Sequence, residues 1–162
     1  MNASGVTFRA ARKADVPRLV QLLADDPLGA TREEFTDPLP ASYLEAFEAI
    51  DTDPQQLLLV VCEGESIVGL LQLTYVPSLT YRGSWRAQIE GVRVAKEARS
   101  SGLGRRLIEE SIARATARGC RLIQLTSDKQ RPKAISFYEA LGFAATHEGM
   151  KLHLPVDGDG SV

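Results

Sequence analysis

Two rhythms of apolar and polar positions run along this chain. Val6 to Ala10 reads as a short strand. From Ala14 to Ala24 the period becomes helical, with Val16, Leu19, Val20 and Leu23 on one face, Asp15 placed to cap and Pro17 in the first turn. Asp25 to Leu39, rich in Pro, Gly and acids, predicts a loop. Pro40 to Ile50 predicts a second amphipathic helix, striped by Tyr43, Leu44, Phe47 and Ile50. Three strands are then expected, Leu57 to Cys62, Ser66 to Val76 and Trp85 to Val94, with turns at Glu63-Gly64-Glu65 and Pro77 to Gly83. Gly102 to Ala117 is the clearest helix: Leu103, Leu107, Ile108, Ile112 and Ala115 form one face, charged residues the other, and Gly119 stops it. Arg121 to Ser127 predicts a strand buried on both faces. Pro132 to Leu141 predicts a short helix ended by Gly142. Phe143 to His147 and Met150 to Leu154 flank Glu148-Gly149 as a hairpin, and 155–162 reads as an acidic, Gly-rich flexible tail.

The third strand, the Gly-rich turn, the long helix and the next strand make a β-α-β unit with parallel strands. The fold class is therefore α/β (α+β), a mixed and mostly antiparallel sheet of about 6–7 strands with flanking helices. Nothing reads as a repeat or linker, so 162 residues are expected to form a single domain over 1–162, with its core at about 6–154. A net charge of −2 offers no basic field for nucleic acid. No apolar run is long enough to span a bilayer and no secretion signal follows Met1, so a cytoplasmic protein is expected, with Cys62 and Cys120 as reduced core thiols.

The stretch Arg99-Ser100-Ser101-Gly102-Leu103-Gly104-Arg105 concentrates candidate chemistry. It falls where a helix begins, where the first N–H groups lack intrahelical partners and the macrodipole is positive. Gly102 and Gly104 let an anion approach the main chain, Ser100 and Ser101 add hydroxyls, and Arg99 and Arg105 add charge. A phosphate or pyrophosphate suits such a turn; a Gly-softened turn beside a solvated basic face is the plainer alternative. A dinucleotide fingerprint would need glycine at Leu107, and a P-loop would need lysine at Arg105, which disfavours a nucleotide-binding domain.

The segment Val92-Arg93-Val94 followed by Arg99 to Gly104 resembles the acetyl-CoA signature of the GNAT superfamily of N-acetyltransferases. Phe137-Tyr138-Glu139-Ala140-Leu141-Gly142-Phe143 resembles that family's second marker, and the element order is similar from Val6 to Leu154. The resemblance implies that the strand ending at Val94 and the one beginning at Arg121 splay apart. It further implies that the pantetheine arm of acetyl-CoA pairs with Val92 and Val94, with Arg93 between them, and that the diphosphate sits on Arg99 to Arg105. Where the family often carries Asn, this chain has Arg131. Acetyl-CoA is the implied cosubstrate, transfer is direct within a ternary complex, and no metal is expected: His147 and His153 lack an acid or Cys cluster beside them. Homodimers are common in that family; no residue here establishes one.

Transfer from a thioester to an amine needs a proton acceptor, a held carbonyl and support for the leaving thiolate. By resemblance Glu90 is the candidate base; the alternatives are a group that only binds the amine or a side chain that merely faces solvent. Gly91 beside it suggests a bulge that re-aims neighbouring side chains. An ordinary carboxylate is a weak base for an ammonium, so burial or a water relay is needed. Tyr138 is the candidate hydrogen-bond donor to the departing sulfur and also a cofactor contact; a packed core tyrosine is the alternative. Between Asp25 and Asp53 nine acids face Arg32 alone, so the expected acceptor is a small-molecule or peptide amine, cationic in character, unless that face is merely solvated. The competing reading is a non-catalytic acyl-CoA-binding or regulatory module on the same fold.

Overall fold

A computed structural model describes residues 5–155. The residues up to Leu125 form one compact unit and those from Thr126 a second. The first unit holds the whole sheet. Its strands are β1 (Val6–Ala10), β2 (Gln56–Glu63), β3 (Ser66–Pro77), β4 (Trp85–Val94) and β5 (Cys120–Leu125), in spatial order β1-β2-β3-β4-β5. The first four pair antiparallel and β5 joins β4 in parallel. The mixed sheet and the central β-α-β unit are as the pattern predicts.

Three helices cover this sheet: α1 (Val16–Ala24), α2 (Ala41–Thr52) and, past the single turn α3 (Thr80–Gly83), α4 (Leu103–Ala117). Leu59 to Cys62 and Ile67 to Leu71 are buried at every position, so both sheet faces are covered there. Farther along, the burial alternates. Leu73, Tyr75, Ala87 and Ile89 are buried, whereas Gln72, Thr74, Arg86 and Gln88 are half-buried and Glu90 is exposed. One face of the β3–β4 pair is thus core and the other is polar and open.

The helical stripes hold with local adjustments. In α1 the buried set is Val16, Leu19, Val20 and Leu22, so Leu22 takes the place expected for Leu23. Asp15 does not cap α1 with its side chain; its carboxylate accepts from Arg12 N–H at 2.7 Å and from the Arg9 guanidinium at 2.7 and 3.2 Å. In α4, Ser111 is fully buried because its hydroxyl donates to the Leu107 carbonyl at 2.9 Å, which hides the polar atom within the helix.

Two expectations for the chain's last third change. The sheet has five strands, not 6–7, because the residues around Glu148-Gly149 form no strands. Met150, Leu152 and Leu154 are 95%, 85% and 73% exposed, so no apolar face is buried to hold a hairpin together. Strand β5 is the edge of the sheet, half-buried at Leu122, Ile123 and Leu125 instead of buried on both faces. The second unit contains α5 (Pro132–Glu139), with Pro132 in its first turn and Gly142 at φ +93° beyond its end. The tail beyond residue 155 lies outside the described residues.

Candidate active site

The bulge expected at Gly91 is present in β4. Gln72 pairs with Glu90 and Leu70 with Arg93, so β4 carries one residue more than β3 across this interval. Gly91 adopts φ +63°, a left-handed conformation that L side chains resist. The ladder from β4 to β5 ends at Ile89–Leu125, while Glu90 to Val94 run on past it. The two parallel strands therefore cease to pair where the bulge begins.

Glu90 lies beside this point, exposed and on the same strand face as Gln88. Val92 is half-buried and its carbonyl accepts from Arg93 Nη1 at 2.8 Å. The Arg93 side chain turns to Asp26 instead of outward: Nε lies 2.8 Å from Oδ2, with the two side chains only 15% and 8% exposed. Asp26 Oδ1 in turn accepts from Leu28 and Gly29 N–H at 2.9 and 3.1 Å. Nearby, Lys96 reaches Asp25 at 2.6 Å. Arg99 donates to the Val94 carbonyl at 3.1 Å and to the Asp25 carbonyl at 3.4 Å. Three cations after the bulge thus tie down the start of the acidic loop.

The Gly-rich turn precedes α4 as predicted. Gly102 is the N-cap residue at φ +84°, and no side chain caps the helix. Ser100 adopts φ +65°. Ser100, Ser101 and Gly102 are exposed, and nothing lies within 4 Å of where a Gly102 Cβ would stand. The helix start is therefore a bare set of backbone donors with open space before it. Within the turn the side chains differ in what they can offer. Ser101 Oγ already donates to the Ala98 carbonyl at 2.6 Å, Leu103 is buried in the core, and Arg105 lies 3.4 Å from Glu109 on the exposed surface. Leu103 and Gly104 can contribute only main chain.

Tyr138 belongs to α5 in the second unit. Its ring meets Phe137 edge-on at 5.2 Å and Phe143 at 5.8 Å, an aromatic cluster joining helix to following turn. Of the nine acids between Asp25 and Asp53, Asp25, Asp26 and Glu48 are ion-paired with Lys96, Arg93 and Lys13. The acidic excess is thus partly spent inside the fold. Cys62 and Cys120 are free thiols; burial pushes the Cys120 thiol up, away from thiolate reactivity. Among the described residues no three His, Cys, Asp or Glu side chains gather as a metal site, and no helix is long and apolar enough to cross a membrane. A hollow of about 210 Å³ between α2 and β2 is lined by Phe47, Asp51, Asp53 and Gln56.

Sequence reasoning missed two features of the site. Both the Arg93–Asp26 pair and a polar row across the open sheet face join residues distant in sequence, and no local spacing marks them.

Comparison with known proteins agrees with this geometry. The model of the acetyltransferase (GNAT) family matches residues 19–143. Over 88 residues, 54% of this chain, the sequence is 36% identical to glucosamine 6-phosphate N-acetyltransferase of Trypanosoma brucei brucei, a match spanning 58% of that relative's length. A solved structure described as a transcriptional regulator from Bacillus halodurans C-125 is 55% identical, with a TM-score of 0.90 over 92% of this chain and 99% of that one. An acetyltransferase from Trypanosoma brucei is 28% identical, with a TM-score of 0.75 over 92% and 99% of the two chains.

Proposed function

The chain belongs to the acetyltransferase (GNAT) family, and from that premise we propose that it is an acetyl-CoA-dependent N-acetyltransferase acting on a primary amine. The observation that carries this reading is the coincidence of two features: a β4–β5 ladder that stops at Ile89–Leu125 and a helix start with bare donors at Gly102. The residues fit the cofactor. Main-chain groups of Val92, Arg93 and Val94 would pair with the extended pantetheine arm as an added strand. Ser100 to Arg105 would hold the diphosphate through backbone N–H groups, with the guanidiniums of Arg99 and Arg105 beside them. Bound acetyl-CoA supplies the acetyl group as an activated thioester.

The chain's own residues supply the rest. Glu90 orients the acceptor ammonium and draws off its proton, through water because the carboxylate is exposed. With acetyl-CoA bound, the Val92 N–H would be the donor for its carbonyl oxygen. Tyr138 would be the hydrogen-bond donor for its sulfur. The acceptor is a small-molecule or peptide amine; glucosamine 6-phosphate, for which the Trypanosoma brucei brucei relative is named, is one candidate. The residues from 1 to 162 are proposed to work as one N-acetyltransferase domain, without a metal.

A second reading is favoured by the 55%-identical structure, described as a transcriptional regulator: a regulatory module that binds acyl-CoA without turnover. Release of free thiol from acetyl-CoA against a panel of amines separates the two. The enzyme reading expects turnover that falls by about 10²–10⁴ in Glu90→Gln and falls less in Tyr138→Phe. Acetyl-CoA binding with no turnover across the panel overturns it.

A further inference from the structure

The open face of the sheet carries more chemistry than a solvated surface needs. Register aligns Gln56 of β2 with Thr74 of β3, Thr74 with Gln88 of β4, and Gln88 with Gln124 of β5. Four polar side chains therefore form a row across four strands on one face. One step along the same face, Gln72 stands opposite Glu90; one step the other way, Arg86 stands between Val76 and Leu122.

The row is internally braced. Gln56 Oε1 accepts from Gln72 Nε2 at 3.0 Å and from Thr74 Oγ1 at 2.8 Å, and Gln124 Nε2 donates to Gln88 Oε1 at 2.7 Å. Gln56, Gln72 and Gln124 each commit one amide end to a neighbour, which fixes the other end in place. Those other ends, Gln56 Nε2, Gln72 Oε1 and Gln124 Oε1, make no hydrogen bond among the described residues, so rigid donors and acceptors face outward. Arg86 is left otherwise: its Nε is buried and has no hydrogen-bond partner there, and its guanidinium joins no ion pair among the described residues. That atom has no accessible surface for a ligand to reach, but the Nη groups of this half-buried side chain also make no hydrogen bond among the described residues, and an oxyanion is the ligand suited to them.

We propose that this face is the acceptor subsite and that the acceptor is a hydroxylated primary amine bearing an oxyanion, phosphate or carboxylate. Glu90 takes the ammonium, the outward amide ends of Gln56, Gln72 and Gln124 take hydroxyls, and Arg86 takes the oxyanion. This assignment rests on the N-acetyltransferase reading, which places the amine at Glu90. Four residues of strand separate Arg86 from Glu90, about 13 Å along β4. Side chains reaching inward from both ends leave the span of one small ring carrying an amine and an anion. A linear polyamine offers nothing to Arg86 and brings a second positive charge against it.

Four amines test this on the full chain: glucosamine 6-phosphate, glucosaminuronate as its carboxylate counterpart, glucosamine, and a diamine of similar length. Two readouts are taken, acetyl-CoA turnover and the melting temperature with acceptor alone. The expected result is a kcat/KM for one oxyanion-bearing amine at least about tenfold above glucosamine, and above the diamine. Arg86→Gln collapses that ratio by raising KM, and Arg86→Lys restores part of it. Whichever anion is preferred identifies its chemistry. An equal or higher rate with the diamine overturns the assignment, as does a ratio that survives Arg86→Gln. Stabilisation by an oxyanion-bearing amine that needs Arg86 but brings no turnover supports the subsite while removing the enzymatic reading. Turnover of other amines, with no oxyanion-bearing amine acetylated or stabilising, removes the subsite and leaves the enzyme.

Discussion

Single side chains do two kinds of work here, and Asp15 shows the first. The bidentate Arg9 guanidinium, with the Arg12 N–H, holds its carboxyl below the usual carboxylate range despite the opposing cost of burial. A carboxyl depressed in the folded state contributes stability that is fully present above its ordinary titration range. That contribution is lost as pH falls through the lowered folded value. Asp15→Asn should therefore cost about 1–3 kcal/mol at neutral pH. The difference from the parent chain should shrink in acid, measured by urea unfolding at several pH values. A difference independent of pH would assign the loss to packing. The second kind of work is the recognition proposed for Glu90 and Arg86, which stand on one face of the same strand.

At the scale of elements, the contact of β3 with β4 depends on a missing side chain. A Cβ at Gly69 would stand 2.8 Å from the Arg93 carbonyl oxygen and 2.8 Å from Val61 Cγ1. The first is backbone and cannot swing aside. Gly69→Ala should destabilise by about 1–3 kcal/mol and shift the strand that leads from the bulge to the Gly-rich turn. Weaker acetyl-CoA binding should accompany the lower melting temperature. Gly102 is the contrasting case: a Cβ there meets nothing within 4 Å, but the φ of +84° is strained for any L side chain. Gly102→Ala should cost about 1 kcal/mol and lower affinity for acetyl-CoA more than it lowers the melting temperature. Equal loss in Gly69→Ala and Gly102→Ala would mean that the turn acts only through stability.

At the scale of the molecule, the cofactor should act as a structural ligand. Among the described residues, the start of α4 has no side-chain cap and β4 beyond Ile89 has no ladder with β5. A ligand that binds only the folded chain stabilises it by about 2.7 kcal/mol at a hundred times its Kd. Coenzyme A and acetyl-CoA should both raise the melting temperature in proportion to the logarithm of concentration, whereas ATP should raise it less at equal concentration. Equal protection by all three would reduce the turn to a general anion site. The Arg93–Asp26 pair, with Lys96 and Arg99, couples the acidic loop to the segment between the bulge and the Gly-rich turn. Asp26→Asn removes the negative charge that faces the largely buried Arg93 guanidinium, and a loss of about 3–5 kcal/mol is expected by denaturant titration.

What the sequence determines by itself is local. Hydrophobic period, turn glycines and the Pro132 helix start place β1, α1, β4, α4 and α5 within a few residues, because each depends on neighbours within one or two turns of chain. The Gly91 bulge and the Gly102 helix start are legible for the same reason: their conformations are written in single residues. Only the tertiary structure decides which strands find partners. Around Glu148-Gly149 a local hairpin pattern forms no strands, since Met150, Leu152 and Leu154 bury no apolar face. Register alone sets Gln56, Thr74, Gln88 and Gln124 side by side, and a shift of one residue would turn a strand's contribution to the opposite face. Nothing local in the sequence marks Arg86; only the packing leaves its Nε buried without a hydrogen-bond partner among the described residues.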